Sequence, residues 1–428
     1  MKHLLTIISA ILLFTACSKD DDSPSTPPEP EPARRTVIVY MAGENNLTYY
    51  IQSDINEMLN GRKQVVSNEN LVIFVDKASE AEKPFIGKIN ANGEMERLYE
   101  YNQDFLTSDP DNMEEVLRRC ITLYPASEDY GLVLWGHASG FVIEKDSVNN
   151  TTYGARRAYG VDNGNNEPTM KGRWLNIPSM RQIFDRLGVK WKFIFSDCCN
   201  MQSIETAYEL RNAAEYLIAS PSEITGIGAP YNTVIPAMFI HDDVQMYKSI
   251  CDNYHEQIDQ RGGHLPISVI KTSQLEALAQ ATRTVLPTVA ANVPKDDFGQ
   301  GHIYYFGIIK RDDWGFPIYL QNEKTLYDMN DIIRWGLADD TTTYQSWRAV
   351  FDQAVVYSKM STFWHANCIE EDYGYNTFKD FTVTEEAFGG VSMFFPQTKH
   401  DNSPYYKHNE LIKQMAWYYA VDWSEVGW

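Results

Sequence analysis

Cys199 and His137 are the residues whose types and settings best suit covalent chemistry. The apolar run Phe193-Ile194-Phe195 leads through Ser196 into Asp197-Cys198-Cys199-Asn200-Met201. Upstream, Leu132-Val133-Leu134-Trp135-Gly136 ends in His137. Each apolar run reads as a buried strand that delivers a polar group at its end. Attack on a carbonyl requires a thiolate or a thiol beside a proton acceptor, and imidazole is the usual acceptor. Two strands that bring His137 and Cys199 to one sheet edge would form a nucleophile and its base, the arrangement of a cysteine peptidase.

The elements around these two runs alternate in type. Thr36–Met41, Leu71–Val75, Gly131–Trp135 and Lys192–Phe195 read as short buried strands. Tyr49–Leu59, Met113–Tyr124 and Ile177–Leu187 read as helices, and another begins at Gln202. Pro84–Tyr101 alternates like a hairpin, with Asn92-Gly93 at its turn. Continuous apolar strands separated by helices predict an α/β fold with a mostly parallel central sheet, covered by helices on both faces. In such sheets ligands bind beyond the carboxyl ends of the strands, where His137 and Asp197–Cys199 fall. Asn45 and Asn46 hold the same position after the first strand, where they shape a turn and cap the next helix.

Further along, Leu265–Ile270 reads as a strand, and Ser273–Val285 and Thr341–Val356 as helices. Phe388–Pro396 resembles another buried strand and Glu410–Tyr418 another helix. The pattern divides into a catalytic region over 36–262 and a C-terminal α/β region over 263–428 that completes or flanks the sheet. The length suits two domains, or one large domain with a second lobe.

Lys2 and His3 followed by the apolar run Leu4–Ala16 read as an export signal too short to span a bilayer. Leu13-Phe14-Thr15-Ala16-Cys17 resembles a lipobox, so Cys17 is the expected acylation site and membrane anchor. Residues 17–35 alternate prolines with acids and read as an extended tether. The acidic start Ser18–Asp22 points to a bacterial outer-membrane lipoprotein displayed at the cell surface.

The formal charge of −21 argues against nucleic-acid binding and suits basic protein substrates as readily as a solvated surface. Acylation of Cys17 would leave five of the six cysteines, and an odd number leaves a free thiol. There is no Cys-x-x-Cys pair, and the histidines are scattered, so no zinc site is read. Asp162-Asn163-Gly164-Asn165-Asn166 is rich in oxygen donors but does not match an EF-hand loop and reads as a turn. No metal or other cofactor is expected.

The two strand-end blocks resemble those of clostripain-like cysteine peptidases, which share the caspase–gingipain type of fold. In that family one strand ends in Trp-x-His-Gly and another in Asp-Ala-Cys-x-Met. Tyr40–Leu47, Ile204–Leu210, Ala219–Glu223 and Gly389–Pro396 resemble further blocks of the family in the same order. The resemblance implies that Cys199 is the nucleophile and His137 its partner in a dyad. It implies an oxyanion hole from the backbone N–H groups of Ala138 and Cys199. Asp197, with Glu223 as a second candidate, would receive a basic side chain in the S1 pocket. Substrates would then be proteins or peptides cut after Arg, or less readily Lys. Members of that specificity mature by cleavage in the long polar loop after the histidine, which here contains Arg156-Arg157. Some members need calcium.

Three positions depart from the pattern. Ala138 replaces a glycine, and Cys198 replaces an alanine. Thr225-Gly226-Ile227-Gly228-Ala229-Pro230-Tyr231 lacks an acidic residue that members often carry. Ala138 and Cys198 leave open a catalytically silent, substrate-binding lipoprotein on the same fold. The 26 tyrosines and 10 tryptophans would also allow a carbohydrate-binding surface protein, but that reading leaves the strand-end motifs unexplained.

Overall fold

The computed structural model describes residues 32–66, 68–141, 158–170, 172–260, 264–296, 306, 310–311, 317–318, 325–361, 364, 368–371, 376–379, 383–401 and 408–428. Cys17, Arg156 and Arg157 lie outside the described residues, as do the signal segment and most of the tether.

Ten strands and seven helices carry the architecture around the site. The strands are β1 (Ala33–Gly43), β2 (Asn70–Lys77), β3 (Phe85–Ile89), β4 (Met95–Glu100), β5 (Ala126–Trp135), β6 (Tyr159–Asp162), β7 (Arg173–Leu175), β8 (Trp191–Asp197), β9 (Ala214–Ala219) and β10 (Ile267–Lys271). The helices are α1 (Thr48–Arg62), α2 (Pro110–Leu123), α3 (Ile177–Leu187), α4 (Ile204–Glu209), α5 (Tyr231–Met238), α6 (Asp243–Gln260) and α7 (Leu275–Asn292).

One nine-stranded sheet runs in the order Val355–Lys359, β10, β9, β8, β5, β1, β2, β3, β4. Its centre, from β9 to β2, is parallel throughout. Antiparallel strands close both sides. The alternation along β1 shows why the central strands read as unbroken apolar runs. Val37, Val39 and Met41 pack with α1, α5 and α6, while Ile38, Tyr40 and Ala42 pack with α2, α3 and α7. Both faces are covered, so neither tolerates polar side chains.

Local chemistry sets the helix ends. The Asp109 carboxylate accepts the N–H groups of Asp111 and Asn112, so α2 begins with a satisfied cap. Gly188 ends α3 in the left-handed region at φ 67°, where a side chain would be strained.

Several expectations change. The tether does not reach residue 35, because β1 begins at Ala33. The Arg35 guanidinium is buried, pairs with Asp129, and donates to the carbonyls of Met238 and Ile240. Its polar character hid it among the tether residues. Asn45 and Asn46 do not cap α1, which starts after Leu47 without a side-chain cap. The helix expected over Thr341–Val356 stops at Ala354, and β-branched Val355 and Val356 start an edge strand beside β10. β9, α5 and α6 are elements beyond those the sequence pattern gives. The expected strand at Phe388–Pro396 is three residues long, Ser392–Phe394, and pairs with Leu326–Asp328 outside the main sheet. The expected helix at Glu410–Tyr418 is broken into the short turns His408–Leu411 and Ile412–Gln414 and the helix Ala416–Val421. Strands from both sides of residue 262 share the main sheet, and Pro32–Trp428 forms one compact unit. Among the described residues, no helix is long and apolar enough to cross a membrane.

Candidate active site

β5 and β8 are parallel neighbours, and Trp135 pairs with Asp197 in their register. The chain continues two residues past each to His137 and Cys199. Both side chains line a cavity of about 120 Å³ together with Leu47, Trp135, Asp197 and the segment Ile224–Gly228, save Ile227. The sheet edge thus brings His137, Cys199 and Asp197 together.

The two adjacent cysteines face opposite ways. Cys198 is fully buried in the core on one face of the sheet, and its Sγ–H donates to the Leu134 carbonyl at 3.1 Å. Burial pushes its thiol well above the ordinary range. Cys199 is half-buried on the cavity, and the Ile224 N–H donates to its Sγ at 3.4 Å. Neither cysteine is in a disulfide. Asn200 follows at φ 58° and turns the chain back from the strand end. Asn is one of the few residues with a side chain that adopts this region at low cost.

His137 is half-buried, and its Nε2 lies 2.6 Å from Asn46 Oδ1. An amide oxygen only accepts, so Nε2–H is the donor of this bond. This link was not legible in the sequence, where Asn46 reads as a turn residue. Asn45 does shape the turn: its Oδ1 accepts the Leu47 N–H, and its Nδ2 donates to the carbonyls of Ala42 and Val161. Ala138 is buried, and its φ is not positive, so its β-carbon is tolerated where the resemblance expects glycine. Gly136, two residues earlier, takes the unusual φ of 150°.

Asp197 forms part of the cavity wall with only 4% of its surface exposed. Its Oδ2 accepts from the Ala229 N–H and the Tyr231 hydroxyl, and its Oδ1 accepts from the Tyr254 hydroxyl at 2.7 Å. Burial raises its pKa, and these three bonds oppose the shift. Gly228 sits at the cavity at φ 69°, and a β-carbon there would lie 2.8 Å from Asp197 Oδ2. Beneath, the Trp135 Nε1–H donates to Asp54 Oδ2 at 2.7 Å. Burial, then the charge of Asp197, pushes Asp54 up to about 8. Asp54 lies on the inward face of α1 and gave no signal in the sequence.

Glu223 corrects the expectation of a second acid in the pocket. It is half-buried one residue before Ile224, but it is not among the residues lining the cavity. Glycines and the small Thr225 occupy that wall instead.

A second group of acids lies nearby at the same sheet edge. Glu44, Asp76 and Asp162 are buried, and one carboxylate oxygen of each lies within 4.8 Å of the other two. Burial and then the Asp162 charge push Glu44 up to about 8 and raise Asp76 well above the usual range.

The family model described as "Clostripain family" matches residues 39–428. No curated protein sequence matches the chain. Among solved structures, the chain resembles a secreted C11 cysteine protease from Bacteroides thetaiotaomicron in complex with an irreversible peptide inhibitor. The TM-score is 0.71 at 27% identity, covering 92% of this chain and 100% of the other. An inactive zymogen C11 protease from Parabacteroides distasonis shares the fold with a TM-score of 0.69 at 23% identity, covering 92% and 99%.

Proposed function

Because the chain belongs to the clostripain family and is a cysteine peptidase, we propose that Cys199 is its nucleophile and His137 its base. The observation that carries this reading is the single cavity lined by His137, Cys199 and Asp197. With Nε2 held by Asn46, the His137 imidazole takes the thiol proton through Nδ1 as Sγ attacks the scissile carbonyl carbon. The Ala138 and Cys199 N–H groups face the oxygen that gains charge in the tetrahedral intermediate. The imidazolium then gives its proton to the departing amine, leaving a thioester. Water, deprotonated by the same imidazole, hydrolyses the thioester and restores the thiol. This thiol chemistry requires no cofactor.

Asp197 at the cavity wall supports cleavage after a basic residue. A buried carboxylate pairs strongly with a guanidinium, whose fork makes parallel bonds, so Arg is preferred over Lys. Gly228 supports the same reading, because it leaves the approach to Asp197 open. Arg156-Arg157 lies in the loop that follows the histidine and is the proposed site of self-cleavage. The lipobox at Cys17 supports a mature chain held at the bacterial outer membrane by its acyl group.

Fluorogenic peptides with Arg, Lys, Asp or Leu at P1 test the reading on wild type, Cys199→Ala and Cys198→Ala, with intact masses recorded. Arg turnover that disappears only in Cys199→Ala is expected, together with a wild-type clip near Arg157. A Cys199→Ala protein that is still clipped there when pure would exclude self-processing. Absence of turnover from all peptides and of any clip would favour a silent binding protein on this fold.

A further inference from the structure

Seven large apolar side chains stay exposed among the described residues, and three of them, Tyr49, Tyr50 and Ile227, lie beside the candidate active site. Tyr49 and Tyr50 stand in the first turn of α1, just after Leu47, and Ile227 belongs to the segment Ile224–Gly228. Leu47, Gly226 and Gly228 line the cavity itself. The Tyr50 ring closes against Gly226. A β-carbon built on Gly226 would lie 3.2 Å from its Cε2 and 3.3 Å from both Cζ and the hydroxyl oxygen. The Tyr50 N–H donates to the Leu47 carbonyl at 2.9 Å. Tyr50 therefore bridges the two stretches that wall the cavity.

These three side chains do not serve the interior. Leu47 and Ile224 pack against the core on the α1 face of the sheet, whereas Tyr49, Tyr50 and Ile227 belong to neither core cluster. Tyr50 keeps 38% of its surface exposed and Ile227 44%, so both have area left to give to a ligand. Exposed apolar groups gathered at the mouth of a cleft mark a binding groove, while the same groups scattered singly would not.

We propose that Tyr50 and Ile227 form a subsite for a bulky apolar side chain of the substrate at P3, two residues before the Arg at P1. This rests on the cavity as the P1 pocket and on Cys199 as the nucleophile. In an extended peptide, side chains alternate between faces, so P1 and P3 project the same way, about 6.6 Å apart. A P1 side chain in the cavity then carries P3 over the adjoining rim, and P2 points away from it. P2′ shares that face as well, and the sheet order separates the two. β8, which carries Cys199, lies between β9 and β5. His137 follows β5 and hands its proton to the departing amine, so the leaving half of the substrate lies toward β5. Ile227 follows β9, on the other side of the nucleophile, where the acyl half lies.

The test uses the full chain and peptides that carry Arg at P1 and Leu, Phe, Ser or Asp at P3, with matched series varied at P2 and P2′. Leu or Phe at P3 is expected to raise kcat/KM about tenfold over Ser, since burying such a side chain is favourable. In Tyr50→Ser and in Ile227→Ser the Leu-to-Ser ratio should fall several-fold toward one. The same labelled peptides are titrated into Cys199→Ala by fluorescence anisotropy, where the Leu-over-Ser preference should appear in Kd. Turnover without a P3 preference would overturn the subsite and leave the peptidase reading intact. So would a preference seen only at P2 or P2′, or a P3 ratio unchanged in both variants. If no peptide is turned over, the peptidase reading falls, and equal Kd values for Leu and Ser at P3 would overturn the subsite as well. Thermal melting of each variant checks folding, and should one variant fail, the other still decides.

Discussion

Trp135 and Asp197 stand opposite one another in the parallel ladder of β5 and β8, and each precedes a candidate catalytic residue by two positions. The register of this pair sets where His137 and Cys199 emerge. Side chains alternate along a strand, so a slip of one residue would present Cys198 to the cavity and bury Cys199.

The two cysteines should therefore separate cleanly. Cys199→Ala is expected to abolish turnover of an Arg peptide. Cys198→Ala should keep turnover and lose about 1–2 kcal/mol of stability, the range for a small core deletion. Denaturant titration beside the peptide assay reads both effects. Loss of activity in a stably folded Cys198→Ala would reassign the nucleophile.

Asn46 acts through His137, so its removal should lower kcat more than it changes KM. A positioned base contributes about 10²–10⁴-fold, and Asn46→Ala should lose about tenfold or more of this. Asn46→Asp retains an acceptor and adds a charge that favours imidazolium. Its acid limb in the pH–rate profile should move to higher pH. An unshifted profile with an unchanged kcat in both variants would remove Asn46 from the mechanism.

Gly228→Ala tests access to Asp197. The new β-carbon would meet Asp197 Oδ2 and would sit at a positive φ. A stability loss of about 1 kcal/mol and a raised KM for Arg peptides are expected. Unchanged steady-state kinetics would mean that the P1 side chain enters elsewhere.

Asp197→Asn tests the charge itself. Removing one partner of a buried charge pair costs about 2–5 kcal/mol. That loss should appear in kcat/KM for Arg peptides and spare any residual cleavage after Leu. An equal loss for both substrates would point to a structural role, through the bonds to Ala229, Tyr231 and Tyr254.

Asp54 makes stability depend on pH. Its folded value is about 8 against an ordinary 3.8, so the folded state holds a proton that the unfolded chain gives up. Stability from this group is present at low pH and is lost as pH rises across that window. Glu205, pushed to about 8 by burial, acts in the same direction. Denaturant titrations at about pH 5 and about pH 8 should show a smaller drop in Asp54→Asn than in wild type. Equal drops would show that Asp54 is ionised throughout.

The alternation of apolar strands and helices was legible because both sheet faces are covered, which leaves long apolar runs in β1, β2, β5 and β8. The helix expected over Ile177–Leu187, entered through Pro178, matches α3 at both ends. β9 carries little signal of its own, although Ala214–Ala219 is largely apolar, because Ala and Glu are weak strand formers until neighbours bury them. Val355 and Val356 continue the period of the preceding helix in the sequence, while the pairing of their strand with β10 is a long-range contact.

By itself, the sequence determined the elements, the strand-end placement of His137 and Cys199, and the family. These features lie in short contiguous runs, where period and residue type are sufficient. Only the tertiary structure decided which cysteine faces the cavity, that Asn46 holds the imidazole, that Asp54 lies beneath Asp197, and that Glu44, Asp76 and Asp162 converge. Those relations join residues far apart in the chain, and sheet register rather than local pattern brings them within bonding distance.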